Sequence, residues 1–196
     1  MNGTKRGIIG DTVDMSLCAK AKDEFNMGCK ARTVSFTQLY GGKITAALSR
    51  QHPRDLFDCK YMDISSFEDV KDGFMLCLLG SDKPIIESLQ PNEIDQTDAL
   101  EKQFEGMSDI AFSYEDYKQA RLQLVKLVQE GMTKADKDFL LSFEEGCPDW
   151  SLCSAGDLSK YPSVQWKLLN IRNLKEHNIQ KHEQGIKKLK DFLFPK

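Results

Sequence analysis

Four residues in one short stretch have side chains suited to phosphate chemistry: Lys43, Arg54, Asp55 and Asp58. A lysine ammonium is a point charge for a triphosphate, and an arginine fork matches pairs of phosphate oxygens. Two carboxylates beside these cations are what metal-nucleotide chemistry requires. Taken singly, each residue has an ordinary reading. Lys43 suits a solvated helix edge, and the aspartates suit the positive end of a helix dipole. Local ion pairs among them would contribute under about 1 kcal/mol.

The elements that must position these residues are two consecutive helices. Ser35-Phe36-Thr37-Gln38 fits a capping box, and Thr33–Phe36 reads as a short strand running into it. The helix that follows should bury Tyr40, Ile44, Ala47 and Leu48 on one stripe, with Lys43 at its edge. Gly41-Gly42 inside it costs roughly 1 kcal/mol per glycine, so another backbone or a ligand should approach closely there. Tyr40-Gly41-Gly42-Lys43 is not a P-loop, because Thr37 and Ile44 stand where that motif needs Gly and Ser/Thr. Pro53 opens the second helix, which places Asp55 and Asp58 on one face. His52 has no serine or cysteine spaced to form a triad with it.

Beyond Tyr61 the pattern is helical. Helices are expected over Ser66–Leu79, Pro84–Leu89 and Asp95–Phe104, then from Ser113, from Thr133 and from Pro162. A terminal helix should face Ile179, Ile186, Leu189 and Leu193 inward, and Trp150 and Trp166 read as core residues. Ala19–Asn26 reads as one or two helical turns. The fold class is α+β and mainly helical, a small sheet near residues 5–36 followed by a C-terminal helical bundle.

The chain has 196 residues, 40% hydrophobic and 29% charged, which suits a globular protein. No apolar run reaches the length of a membrane span, no signal peptide is evident, and the six scattered cysteines read as reduced thiols of a cytoplasmic protein. No residue set reads as a metal site; His177 and His182 share a helix face poorly. Residues 93–150 hold six Lys/Arg against fourteen Asp/Glu, while residues 160–196 hold nine against three. The basic terminal helices are therefore expected to dock on the acidic middle; a surface for RNA or an acidic partner is the alternative.

The run from Leu39 to Asp58 resembles the AbiEii/AbiGii toxin family of nucleotidyltransferases, in which a K-x-x-A helix precedes an R-D-x-x-D signature. Similar segments are Gly73-Phe74 through Leu78-Leu79, Lys83-Pro84-Ile85 through Pro91-Asn92, Phe104–Met107, Pro148-Asp149-Trp150 and Trp166–Asn170. The resemblance implies a nucleotidyltransferase domain joined to a helical bundle. It implies transfer of a nucleotide from an NTP with Mg2+, an RNA such as tRNA as acceptor, and a toxin–antitoxin or phage-defence setting. Lys43 would bind the triphosphate, Asp55 and Asp58 would be catalytic, and Arg54 would orient the phosphate or the acidic pair.

One departure from the family is plain: its Gly-Ser…Asp-x-Asp metal-binding motif is absent, and Asp11-Thr12-Val13-Asp14 has no Gly-Ser before it. Residues 1–62 are thus expected to be the C-terminal part of a nucleotidyltransferase-like domain, with the bundle at 63–196. Such a chain is expected to be truncated and inactive alone, and its open sheet edge to favour a homo-oligomer. The competing reading is a non-catalytic helical module that binds a partner protein or RNA.

Overall fold

The computed structural model describes residues 7–195. Residues 1–6, where the expected sheet region begins, lie outside that range. The fold is α+β and mainly helical. Among the described residues the only sheet is an antiparallel pair, β1 (Val13–Ser16) and β2 (Lys30–Thr33), with Val13 opposite Thr33 and Ser16 opposite Lys30. Between them lies α1 (Ala19–Phe25), ended by Asn26 in the left-handed region. The second strand ends at Thr33, the first residue of the strand expected over Thr33–Phe36. Ser35 is already the cap of α2 (Phe36–Arg50), its hydroxyl accepting from the Gln38 N–H. The expected return half of the capping box is missing, because the Gln38 amide reaches back to Ile9 N–H and Gly7 C=O instead.

Helix α2 runs into α3 (Pro53–Lys60) through Gln51 and His52. A 3-10 turn (Phe67–Val70) then leads into α4 (Lys71–Leu79), dividing what the sequence suggested as one helix. Short α5 (Ile85–Leu89) and α6 (Thr97–Ala99), the latter continued by a π turn over Leu100–Phe104, precede the long α7 (Tyr114–Gly131). The chain closes with α8 (Lys134–Glu144), α9 (Pro162–His177) and α10 (Ile179–Leu193). Ser113 and Thr133 cap α7 and α8 with complete capping boxes, and Pro162 opens α9 as expected.

Helices α2 and α4 cross with their backbones in contact, and the glycines explain how. A Cβ on Gly41 would lie 2.2 Å from the Phe74 nitrogen, and one on Gly73 would lie 2.1 Å from the Thr37 oxygen. Only glycine fits on either side of the crossing. The close approach expected at Gly41 is therefore the backbone of α4, whereas a Cβ on Gly42 would meet only the Cys77 sulfur, at an ordinary 3.5 Å. Ile44, Ala47 and Leu48 of α2 and Phe74–Leu79 of α4 are buried in one cluster that also holds Tyr117, Phe139, Val164 and Leu189. Tyr40 is only half-buried, packed tilted on Phe36.

Trp166, Ile179 and Trp150 also depart from their expected burial. Trp166 is 61% exposed, because Lys167 and Leu168 take the inward positions of α9. Ile179 is exposed where α10 begins, and Trp150 lies half-buried against Phe139 and Phe143. The basic terminal helices do meet the acidic middle, but through backbone: Lys175 donates to the Glu145 carbonyl, and His182 Nε2 lies 2.9 Å from the Glu144 carbonyl. No salt bridge joins residues 160–195 to residues 93–150.

Candidate functional site

The α2–α3 corner brings together all four residues singled out in the sequence. A cleft of about 410 Å³ is lined by Leu39, Gly42, Lys43, Ala46, Arg50, Arg54, Asp55 and Asp58. Helical spacing accounts for the gathering. Gly42, Lys43, Ala46 and Arg50 fall at i, i+1, i+4 and i+8 on one face of α2, and Asp55 and Asp58 face them from α3. Pro53 sets the start of α3, and the His52 Nδ1 accepts from the Arg54 N–H at 3.2 Å. His52 Nε2 lies 3.1 Å from the Gln103 amide oxygen, so this histidine is a cap and a tether rather than a base in the cleft.

Two ion pairs cross the corner. Lys43 Nζ lies 2.6 Å from Asp58 Oδ2, and Arg50 Nη2 lies 2.9 Å from Asp55 Oδ1. Arg50 is the residue that reading the sequence missed. Its signal was its place two turns beyond Lys43 on the same helix face. The Lys43 and Asp58 side chains are each a little over one-third exposed, so their pairing contributes little to stability. Asp55 is different: its side chain is 10% exposed, and Oδ2 is buried with no hydrogen-bond partner among the described residues. A buried carboxylate oxygen left unpaired is costly. The Arg54 guanidinium is exposed and has no partner among the described residues.

Behind the cleft, Cys59 is buried and its thiol is pushed up to about 12, by burial first and then by the neighbouring Asp58 carboxylate. It is inert as a nucleophile near neutral pH. Three cations face two carboxylates here, leaving the cleft with one positive charge in excess. Such a cleft can take an anion with several oxygens by exchanging the carboxylates for it, or by seating it on Arg54.

The described residues do not fit a magnesium site of their own. Asp55 and Asp58 each face a cation, and no group of three or more His, Cys, Asp or Glu could hold a metal. Asp11 and Asp14 are exposed on and before β1, with Asp14 3.7 Å from Arg32 across the strand pair. Among the described residues no helix is long and apolar enough to cross a membrane.

A helical α+β protein with a cationic cleft at a two-helix corner is the class that fold and site define. The family comparison makes it specific. Residues 4–169 match the family described as nucleotidyl transferase AbiEii toxin, Type IV TA system, and the chain belongs to that family. The match covers the α2–α3 corner and most of the bundle, ending within α9. No curated protein and no solved structure matches the chain.

Proposed function

We propose that the α2–α3 cleft grips the triphosphate of a nucleoside triphosphate, and that the chain serves nucleotide transfer to an RNA acceptor in a toxin–antitoxin setting. The observation that carries this reading is the convergence of Lys43, Arg50 and Arg54 on one cleft. In this reading Lys43 and Arg54 take phosphate oxygens, and Asp55 and Asp58 hold the cations in place until the nucleotide enters. The Gly-Ser…Asp-x-Asp pair that would complete a two-metal site is not in the sequence, so this chain binds nucleotide and does not transfer it unaided. The division falls near Met62: residues 1–62 carry the grip and residues 63–196 the scaffold. A soluble, cytoplasmic location and a role in phage defence follow from the same reading.

A partner protein such as an antitoxin is favoured by a second feature. No residue of β1, α1 or β2 is buried, and Phe25, Met15 and Val13 are about half exposed or more. Among the described residues both outer edges of the strand pair are unpaired, which suits either a partner strand or a second copy of the chain.

Calorimetric titration with ATP, GTP, CTP and UTP, each with magnesium, tests the proposal. At least one nucleotide should bind, and Lys43→Ala should weaken that binding roughly tenfold or more. If no nucleotide binds, or binding ignores Lys43→Ala, the cleft is not a triphosphate grip.

A further inference from the structure

Gln51 joins the two helices that carry the cleft, and its backbone is unusual. It sits at φ 51°, ψ 29°, one of two non-glycine residues with positive φ among those described. A side chain rarely adopts this left-handed conformation unless the surroundings over-determine it. Here they do. Gln51 is 2% exposed, and each of its polar groups is engaged. Its N–H donates to the Ala47 carbonyl at 2.8 Å, and its own carbonyl accepts from the Tyr117 hydroxyl at 3.0 Å. Its side-chain amide donates to the Asn92 carbonyl at 2.7 Å and accepts from Arg121 Nε at 2.7 Å.

Arg121 is the hub of this arrangement. Its Nη2 also donates to the Pro91 carbonyl at 2.6 Å, so one planar fork clamps Gln51 and the 91–92 loop together. Arg121 and Tyr117 both belong to α7, outside the cleft. Gln51 immediately follows Arg50 and lies four residues before Asp55. Its dihedral angles therefore set how far apart α2 and α3 hold Lys43–Asp58 and Arg50–Asp55.

We propose that Arg121, with Tyr117, is a positioning residue of the cleft: it locks Gln51 in the left-handed turn that spaces the two cross-corner ion pairs. The bundle in this way fixes the geometry of the grip without touching it. The inference takes its purpose from the triphosphate reading, but its geometry stands independently of that reading.

The test uses the full chain and two readouts, each recorded well below the thermal midpoint of each variant. The first is the Arg50 Nε and Lys43 ammonium resonances by nitrogen-15 NMR. The second is the affinity for inorganic triphosphate. Arg121→Lys keeps the charge but not the fork, and Arg121→Ala removes both. Both variants should remain folded, shift the Arg50 and Lys43 resonances, and weaken triphosphate binding roughly tenfold, with lysine failing to rescue. Gln51→Gly, which adopts the turn freely but offers no amide to hold, should shift the same resonances. Folded variants with wild-type resonances would overturn the inference, as would full rescue by lysine. If the wild-type chain binds no triphosphate, the proposed function falls, and the resonances alone decide the positioning role.

Discussion

Two lysines of this chain face aspartates in opposite settings. Lys71 begins α4 with its side chain 6% exposed, 2.7 Å from Glu68 and 3.4 Å from Asp136. Asp136 is itself buried and also accepts from the Thr133 N–H and hydroxyl, so its charge is fully answered. Burial works against the Lys71 ammonium, yet the Glu68 and Asp136 carboxylates outweigh it and hold its pKa above the ordinary value. Lys43, by contrast, meets Asp58 in a half-open cleft, beside an aspartate oxygen with no partner and an arginine with none. A saturated buried pair belongs to the scaffold. A half-open, incompletely satisfied pair is one that an incoming anion can rearrange.

The same substitution at both lysines should separate these roles. Lys71→Met leaves the Asp136 carboxylate buried without its cation, a change that costs about 3–5 kcal/mol. The urea midpoint at pH 7 should fall accordingly. A loss under about 1 kcal/mol would mean that water or Thr133 answers Asp136 unaided, and the contrast between core and cleft would weaken.

Lys43→Met should do the reverse. Its pairing with Asp58 is solvent-screened, so stability should change by less than about 1 kcal/mol. A lost charge-assisted contact to phosphate is worth about 1.5–3 kcal/mol, or roughly a tenfold to hundredfold weaker nucleotide affinity. Isothermal calorimetry and a urea titration on the same sample measure both. A variant that unfolds readily but binds as before would show Lys43 to be scaffold, like Lys71.

Much of this was legible in the sequence, and what escaped had physical reasons. Pro53, Ser113, Thr133 and Pro162 mark helix starts locally, and the structure places them as expected. Lys43, Arg54, Asp55 and Asp58 meet because helical spacing and one short corner leave few alternatives. Arg50 stayed hidden because its role depends on which side of α2 faces α3, a tertiary fact. Trp166 was misjudged for a related reason. The inward face of α9 is occupied by Lys167, whose ammonium donates to the Leu78, Ser81 and Lys83 carbonyls at the end of α4. No pattern based on apolar periodicity assigns a core position to a lysine. The Gly41–Gly73 crossing was half legible, since one sequence shows that a glycine invites close approach but not which backbone arrives.

Lys167 is a third lysine setting, buried like Lys71, with the smallest expected effect. Burial pulls its ammonium down to about 8, and the Glu144 carboxylate works against that fall. Glu144, at the end of α8, has its own pKa raised by burial, with Lys167 and His182 pulling it back, and its Oε2 has no partner. A carboxyl whose folded pKa lies above its unfolded value contributes its full stability below the unfolded value and loses it as pH rises through the folded one. Ionising Glu144 within the fold therefore costs stability, despite the lysine nearby. Glu144→Gln should raise stability at pH 7 by about 1 kcal/mol, the ordinary size of a single-site change, and the gain should vanish toward pH 4. The Lys167 ammonium, deprived of its carboxylate, should titrate lower still. Thermal midpoints across that range, with the lysine resonance followed by NMR, measure both effects. A variant less stable at pH 7 than at pH 4, relative to wild type, would mean that Glu144–Lys167 attraction exceeds the cost of burial. The bundle would then answer this pair as fully as it answers Lys71, and the contrast with the cleft would stand the firmer.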